Sequence, residues 1–232
     1  MKIAAFSDNH GWLPDNMPEA DVLVIAGDVL PLDIQRDIDK SIQWLKNIFV
    51  EWINKWNYRH TIFVPGNHDF CFEHEDPFKD VDNITTLIND SIVIDGVSFF
   101  GFPYIKYLRG WAFLDNEEVY DRMQPGDVLV CHDTPSIAGS FDDEYIRQHP
   151  RTRRFGNDIL MNKVKDYKLV ICGHWHDAVK GPVSYIDGKQ YNVSLKGDDY
   201  KVHYKPALII YTKDWNHPKI TLEALDSLLI KF

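Results

Sequence analysis

Five short apolar runs of strand character punctuate the chain: Ile3 to Phe6, Val22 to Ala26, Thr61 to Val64, Val128 to Cys131 and Leu169 to Cys172. Each stops at a polar cluster. In order these read Asp8-Asn9-His10-Gly11, Gly27-Asp28, Gly66-Asn67-His68-Asp69, His132-Asp133 and Gly173-His174-Trp175-His176. Between the second and third runs, Ile38, Ile42, Leu45, Phe49, Trp52, Ile53 and Trp56 recur at helical spacing, which predicts an amphipathic helix over Asp37 to Trp56 packed on a sheet. Helical patterns over Asn116 to Met123 and Asn157 to Val164 each precede a later strand, so strands and helices alternate through the first three quarters of the chain.

Beyond Val179 the pattern changes. Runs around Val183-Ser184-Tyr185, Tyr191-Asn192-Val193 and Ala207 to Tyr211 are separated by Gly188, Gly197 and Pro206, which predicts a meandering antiparallel sheet. No internal repeat or linker interrupts the chain. In open α/β sheets ligands bind beyond the carboxyl ends of the strands, so five clusters at five strand ends are expected to share one rim.

At 232 residues, 44% apolar, the chain suits one substantial core, and a single domain over 1–232 is expected. A formal net charge of −10 argues against stable nucleic-acid binding through phosphate neutralisation. The first apolar stretch is cut short by Asp8 and His10, so neither a signal peptide nor a membrane span is expected there, and cytoplasmic residence is the default. Three cysteines, Cys71, Cys131 and Cys172, fit buried reduced thiols better than a disulfide framework.

The clusters carry metal-binding residue types. Asp8 and His10 stand two apart, as do His174 and His176, so in extended backbone each pair would point to one side and serve one centre. A hydrolytic dinuclear site needs about 3.5–4 Å between cations and a carboxylate to bridge them. Asp28 is the bridging candidate: it follows Gly27 at a strand end and offers two oxygens. Imidazole, carboxylate and amide oxygen together suit manganese, iron or zinc better than magnesium, and two divalent ions are the expected cofactors.

The ordered set Asp-x-His, Gly-Asp, Gly-Asn-His-Asp, a strand-terminal His and Gly-His-x-His resembles the calcineurin-like metallophosphoesterases from Met1 to about Asn192. That resemblance implies a four-layer α/β/β/α sandwich with two mixed sheets. It also implies that Asp8, His10 and His176 hold one metal, that Asn67, His132 and His174 hold the second, and that Asp28 bridges them. His68 is similar to the family's non-ligand histidine beside the scissile phosphate, and Asp69 is then its orienting partner or else a loop cap. The implied reaction is in-line attack of a metal-bridging hydroxide on phosphorus, without a covalent intermediate.

Protein serine/threonine phosphatases of this superfamily carry an arginine in a Gly-Asp-x-Val-Asp-Arg-Gly segment, whereas this chain reads Gly27-Asp28-Val29-Leu30-Pro31-Leu32-Asp33. Gly110-Trp111-Ala112-Phe113 and Gly126-Asp127-Val128-Leu129-Val130 are similar instead to small phosphodiesterases, including metallophosphoesterase-domain brain proteins and bacterial cyclic-nucleotide enzymes. Asp133-Thr134 departs from that subgroup's usual Gly-Pro after the histidine. Tyr104, Tyr107, Trp111 and Phe113 fit either an aromatic wall for a nucleobase or core packing. Arg147, Arg151, Arg153 and Arg154 either meet substrate phosphate or form a solvated charged segment. Asn67, Arg153 and Trp111 are accordingly candidate substrate contacts. The expected substrate is a small phosphodiester, cyclic or nucleotide-like, acted on by a monomer or homodimer. A phosphomonoesterase or a nuclease of the same superfamily is the alternative, and a scaffold pseudoenzyme is the alternative of another class.

Overall fold

A computed structural model describes residues 1–106, 108–135, 156–176, 184–185, 190–197, 199–203 and 205–211. Two mixed sheets face each other. The first orders its strands β11-β1-β2-β3-β4, with β1 Lys2–Phe6, β2 Val22–Ile25, β3 His60–Phe63, β4 Ile84–Thr86 and β11 Ala207–Ile210. The second runs β5-β6-β7-β8-β10-β9, with β5 Asp90–Ile94, β6 Val97–Phe102, β7 Gly126–Cys131, β8 Tyr167–Cys172, β9 Ser184–Tyr185 and β10 Gln190–Asn192.

Strand alternation sorts the apolar runs into three cores. Ile3 and Ala5, Val22 and Val24, Ile62, Val128 and Val130, and Leu169 and Ile171 all point between the sheets into one shared cluster. The intervening residues point outward. Ala4, Phe6, Leu23, Ile25 and Phe63 meet Leu45, Phe49, Trp52 and Ile53. Leu129, Cys131, Val170 and Cys172 meet Val119, Tyr120, Leu160 and Val164. Both faces of these parallel strands are therefore buried, which is why the sequence reads as unbroken apolar runs rather than alternation. The outer layers are the helical stretch from Ile38 to Ile53 on one side, and Glu117–Asp121 with Asp158–Lys163 on the other, giving the expected α/β/β/α order. The long helix begins where Asp37 accepts from Lys40 N, and its middle turns, Leu45–Phe49, widen to π geometry.

The segment after β8 departs from the expected meander. β10 pairs parallel with β8 and antiparallel with β9, whereas β11 crosses to the other sheet and pairs antiparallel with β1. Between them Val193 to Leu195 lies beside Ser7: Ser7 N donates to Val193 O at 3.0 Å and Leu195 N to Ser7 O at 3.0 Å. One strand of chain thus joins both sheets at their common rim. The cysteines are free and buried, and burial pushes the Cys71, Cys131 and Cys172 thiols up, as inert packing requires. Among the described residues no helix is long and apolar enough to cross a membrane.

Candidate metal centre

The clusters that end β1, β2 and β3 bring Asp8, His10, Asp28, Asn67 and His68 to the rim of the first sheet, and those that end β7 and β8 bring His132, His174 and His176 to the rim of the second. They converge. Asp8, His10 and His176 place one donor atom each within 4.8 Å of one another, as do Asp28, His132 and His174, and also His10, Asp28 and His68. Asn67 joins the second group, with Oδ1 at 3.0 Å from His132 Nε2. His174 and His176 therefore fall into different groups. Spacing in extended backbone would have put them in one, but His174 has φ +69°, and Asp8, His10 and Asp28 have φ of +53°, +40° and +58°. Left-handed backbone at a non-glycine residue costs about 1–2 kcal/mol, and four such residues side by side mark a place where geometry outweighs local stability.

Close loop packing makes these turns possible. Gly27 has φ +91°, and a Cβ there would lie 2.6 Å from both Gly66 N and His132 Nδ1. A Cβ on Gly66 would sit 2.2 Å from Asp28 Oδ1. The glycines of Gly-Asp and Gly-Asn-His-Asp are thus the points at which two loops and a histidine ring interlock.

Hydrogen bonds at the far side of each ring fix what its near side presents. His132 Nδ1 donates to Ala26 O at 2.7 Å, which leaves Nε2 as a lone pair in the neutral ring. That lone pair faces Asn67 Oδ1 at 3.0 Å and Asp28 Oδ2 at 3.3 Å. His176 repeats the pattern: Nδ1 donates to Gly197 O at 3.1 Å, while Nε2 faces Asp8 Oδ1 at 3.1 Å and His10 Nε2 at 3.4 Å. Lone pairs aimed at lone pairs require a positive charge between them. In the bare protein that charge is a proton. Burial works to lower both rings, but the Asp28 carboxylate carries His132 up to about 10, and Asp8 carries His176 up to about 9. His10, for which burial dominates, is pulled down to about 3, and its Nδ1 is buried without a hydrogen-bond partner. A divalent cation satisfies the same donors without protons, and the donor set of imidazole, carboxylate and amide oxygen fits one.

The carboxylates are held from behind. Asp8 Oδ2 accepts from Ser7 Oγ at 2.5 Å, Ser194 Oγ at 2.7 Å and His174 N at 3.0 Å. Burial opposes ionisation of Asp8 and Asp28, yet the surrounding histidines hold both well below the usual carboxylate range. Asp28 Oδ1 accepts from His68 N at 2.8 Å.

Asp69 does not orient His68. Its Oδ2 accepts from Asp28 N and Gly66 N, both at 2.8 Å, and its Oδ1 from Val29 N at 3.0 Å and Leu30 N at 3.2 Å. The carboxylate is spent on backbone, because it is buried where two loops cross and nothing else there accepts their N–H groups. Burial and the Asp28 charge push it up to about 7, against the N–H bonds. Asp69→Asn would turn an NH2 group toward two of those donors, and we expect a loss of about 2–4 kcal/mol in chemical denaturation. Unchanged stability would mean that the loops hold themselves.

His68 instead has Gln35 Oε1 against its Nδ1 and the Trp111 ring on its face, centroids 4.3 Å apart, with the His10 ring at 4.7 Å. The expected aromatic wall is thereby divided. Phe113 is buried in the core and Tyr104 packs against it, whereas Trp111 lines the site; Tyr107 lies outside the described residues. Arg147, Arg151, Arg153 and Arg154 also lie outside them. Sequence reading missed Arg36, whose guanidinium lies 5.0 Å from the Trp111 centroid and 4.4 Å from that of Phe70. It missed Tyr200 as well, whose ring is 5.1 Å from His10 and 5.3 Å from His176. Neither belongs to a cluster at a strand end, so no pattern singled them out. The Asp133 departure acquires a reason: its carboxylate accepts from Trp175 Nε1 at 3.2 Å, Asn157 Nδ2 at 3.0 Å and Lys106 N at 3.2 Å, tying three loops behind the histidines.

The chain is similar to known proteins. The chain is 28% identical over 222 aligned residues to a UPF0046 protein of Caenorhabditis elegans, covering 83% of this chain and 70% of that one. It is 23% identical over 234 residues to the human metallophosphoesterase domain-containing protein 1, covering 84% and 68%. A solved crystal structure superposes with a TM-score of 0.57 at 17% identity, covering 85% of this chain and 91% of its own, and shares the fold. The family model described as calcineurin-like phosphoesterase matches residues 1–178, the span that contains every cluster above. The chain therefore belongs to the calcineurin-like phosphoesterase family, whose members are metal-dependent phosphoester hydrolases.

Proposed function

We propose that this chain is a dinuclear-metal phosphodiesterase acting on small, nucleotide-like diesters. Asp8, His10 and His176 would hold one cation, Asn67, His132 and His174 the other, and Asp28, which lies between the two groups, would serve both. One observation carries the reading: two imidazole nitrogens held from behind, His132 Nε2 and His176 Nε2, lie 3.3 Å from Asp28 Oδ2 and 3.1 Å from Asp8 Oδ1, with His10 Nε2 3.4 Å from His176 Nε2. When bound there, divalent cations would supply an acidified water and neutralise charge on the phosphoryl oxygens. The chain's own residues orient the rest. Asp28 and Asp8, ionised and locked by N–H and O–H donors, would fix where the cations bind, and His68, on the Trp111 side, would give its proton to the departing oxygen. Trp111, against the His68 ring, would line the pocket for a base or aryl group.

The net charge of −10 favours a small substrate over a long polyanion. The test is to assay the protein with manganese against a bis-aryl phosphate, a mono-aryl phosphate, 2′,3′- and 3′,5′-cyclic nucleotides and single-stranded DNA. Diester preference is expected. Much faster turnover of the monoester would favour a phosphomonoesterase, DNA cleavage a nuclease, and no turnover with any divalent metal a scaffold.

Metal loading should also release protons. At pH 7, below the values to which His132 and His176 are raised, both rings hold a proton that a cation must displace, so affinity falls as pH falls. Calorimetric titration in buffers of different protonation enthalpy should report about two protons released per chain at pH 7. A binding heat that does not depend on the buffer would mean that neither ring carries a proton before the metal binds.

A further inference from the structure

We propose that Gln35 is a positioning residue for His68, fixing which ring nitrogen faces the scissile bond. This rests on the reading of His68 as the group that protonates the leaving oxygen. Gln35 Nε2 donates to Leu32 O at 3.0 Å, which settles the orientation of the amide and leaves Oε1 against His68 Nδ1. An amide oxygen can only accept, so Nδ1 must carry the hydrogen there, and any transferable proton resides on Nε2. Nε2 is the nitrogen on the Asp28 side, 3.8 Å from Oδ2. The ring is closed in by His10 and Trp111, so Gln35 and these two neighbours leave it one orientation.

Gln35 is itself held. Its backbone N donates to Pro31 O at 3.1 Å, Ile34 N donates to the same oxygen at 3.2 Å, and Ser41 Oγ ties Ile34 O to the start of the long helix at 3.0 Å. The loop leading to it, Val29 and Leu30, is anchored on Asp69. The buried carboxylate adjacent to His68 thus acts on it at one remove, while a neutral amide makes the contact. As the bond from a hydroxide oxygen to phosphorus forms, the bond from phosphorus to the departing oxygen breaks; that oxygen takes the Nε2 proton and leaves as the alcohol, and the neutral ring regains a proton from solvent.

The test combines two readouts on Gln35→Met, which removes the acceptor, Gln35→Asn, which withdraws it by one methylene, and Gln35→Glu, which retains it. Long-range proton–nitrogen NMR of the zinc-exchanged protein should show His68 as the Nδ1–H tautomer in the unmodified chain and in Gln35→Glu. In Gln35→Met and Gln35→Asn it should show exchange or loss of that tautomer. With manganese, aryl methyl phosphates of graded phenol acidity should separate the variants. Gln35→Met should slow the phenyl ester at least about tenfold, part of the 10²–10⁴ that a positioned acid supplies, and the 2,4-dinitrophenyl ester, which needs no proton, less than about threefold. His68→Ala should show the same split, and the double variant no more than His68→Ala alone. An unchanged tautomer in both Gln35→Met and Gln35→Asn overturns the positioning role. Equal slowing of all esters in His68→Ala overturns instead the acid role on which it rests, and the two failures are read from different instruments.

Discussion

Asp28→Ala should leave the protein folded but strip it of most of its bound metal, as elemental analysis would read after dialysis, and with it essentially all turnover. Among the described residues Asp28 groups with His132 and His174 and also with His10, with Oδ2 at 3.3 Å from His132 Nε2, and those residues belong to opposite proposed centres, so its loss should weaken both together. No neighbouring group can replace it. Asn67 and His132 belong to one side and His10 to the other, and Asp69 is committed to four backbone N–H groups. The fold should tolerate the change better than it tolerates Asp69→Asn, because among the described residues the Asp28 carboxylate accepts one backbone N–H, that of His68, and the β2 strand before it is held by both neighbours in the sheet. Retention of the usual metal content with activity intact would remove the bridging role.

His68→Ala should divide metal content from turnover. Its backbone N–H to Asp28 Oδ1, at 2.8 Å, survives the substitution, so the Asp28 carboxylate keeps its orientation and both cations should bind as before. What disappears is the ring between Trp111 and His10, and the expected loss in kcat is about 10²–10⁴-fold for a diester with a poor leaving group. Because burial lowers His68, the protonated ring is a scarcer but stronger acid, which suits transfer to an alkoxide-like oxygen. If metal content falls as far as in Asp28→Ala, His68 is a ligand, as its grouping with His10 and Asp28 would allow, and the division of roles fails.

Most of the site could be read before any coordinates because parallel strands buried on both faces write themselves as apolar runs, and the residue that follows each run must lie at the rim. Asp8, Asp28, Asn67, His132 and His174 reach the rim on this ground alone, without reference to their side chains. Strand-end position is no guide where backbone conformation decides direction. Alternation assumes extended chain, and Asp8, His10, Asp28 and His174 are left-handed, so the partition of His174 and His176 between two groups followed from family likeness and not from spacing. Gln35 and Arg36 were invisible for another reason: their contacts, to His68 and Trp111, join loops far apart in sequence, and nothing in the local pattern marks them. The β5–β6 hairpin carries a local signal in the sequence. Asp95-Gly96, with φ +51° and +75°, is the two-residue turn that sets Ile94 opposite Val97. The tail misled because short strands carry no mark of the sheet they will join, and β10 and β11 join different ones.

The stitch of Val193 to Leu195 against Ser7 has a bearing on which ions can enter. Each proposed group of ligands draws on both sheets, so the opening between the jaws is the separation of the two sheets, and main-chain bonds join them at the edge where the jaws meet. With the frame joined before any ion arrives, a cation too large or too small for that opening would have to accept long or missing bonds, so part of the discrimination among cations would lie in the frame and not in the ligands.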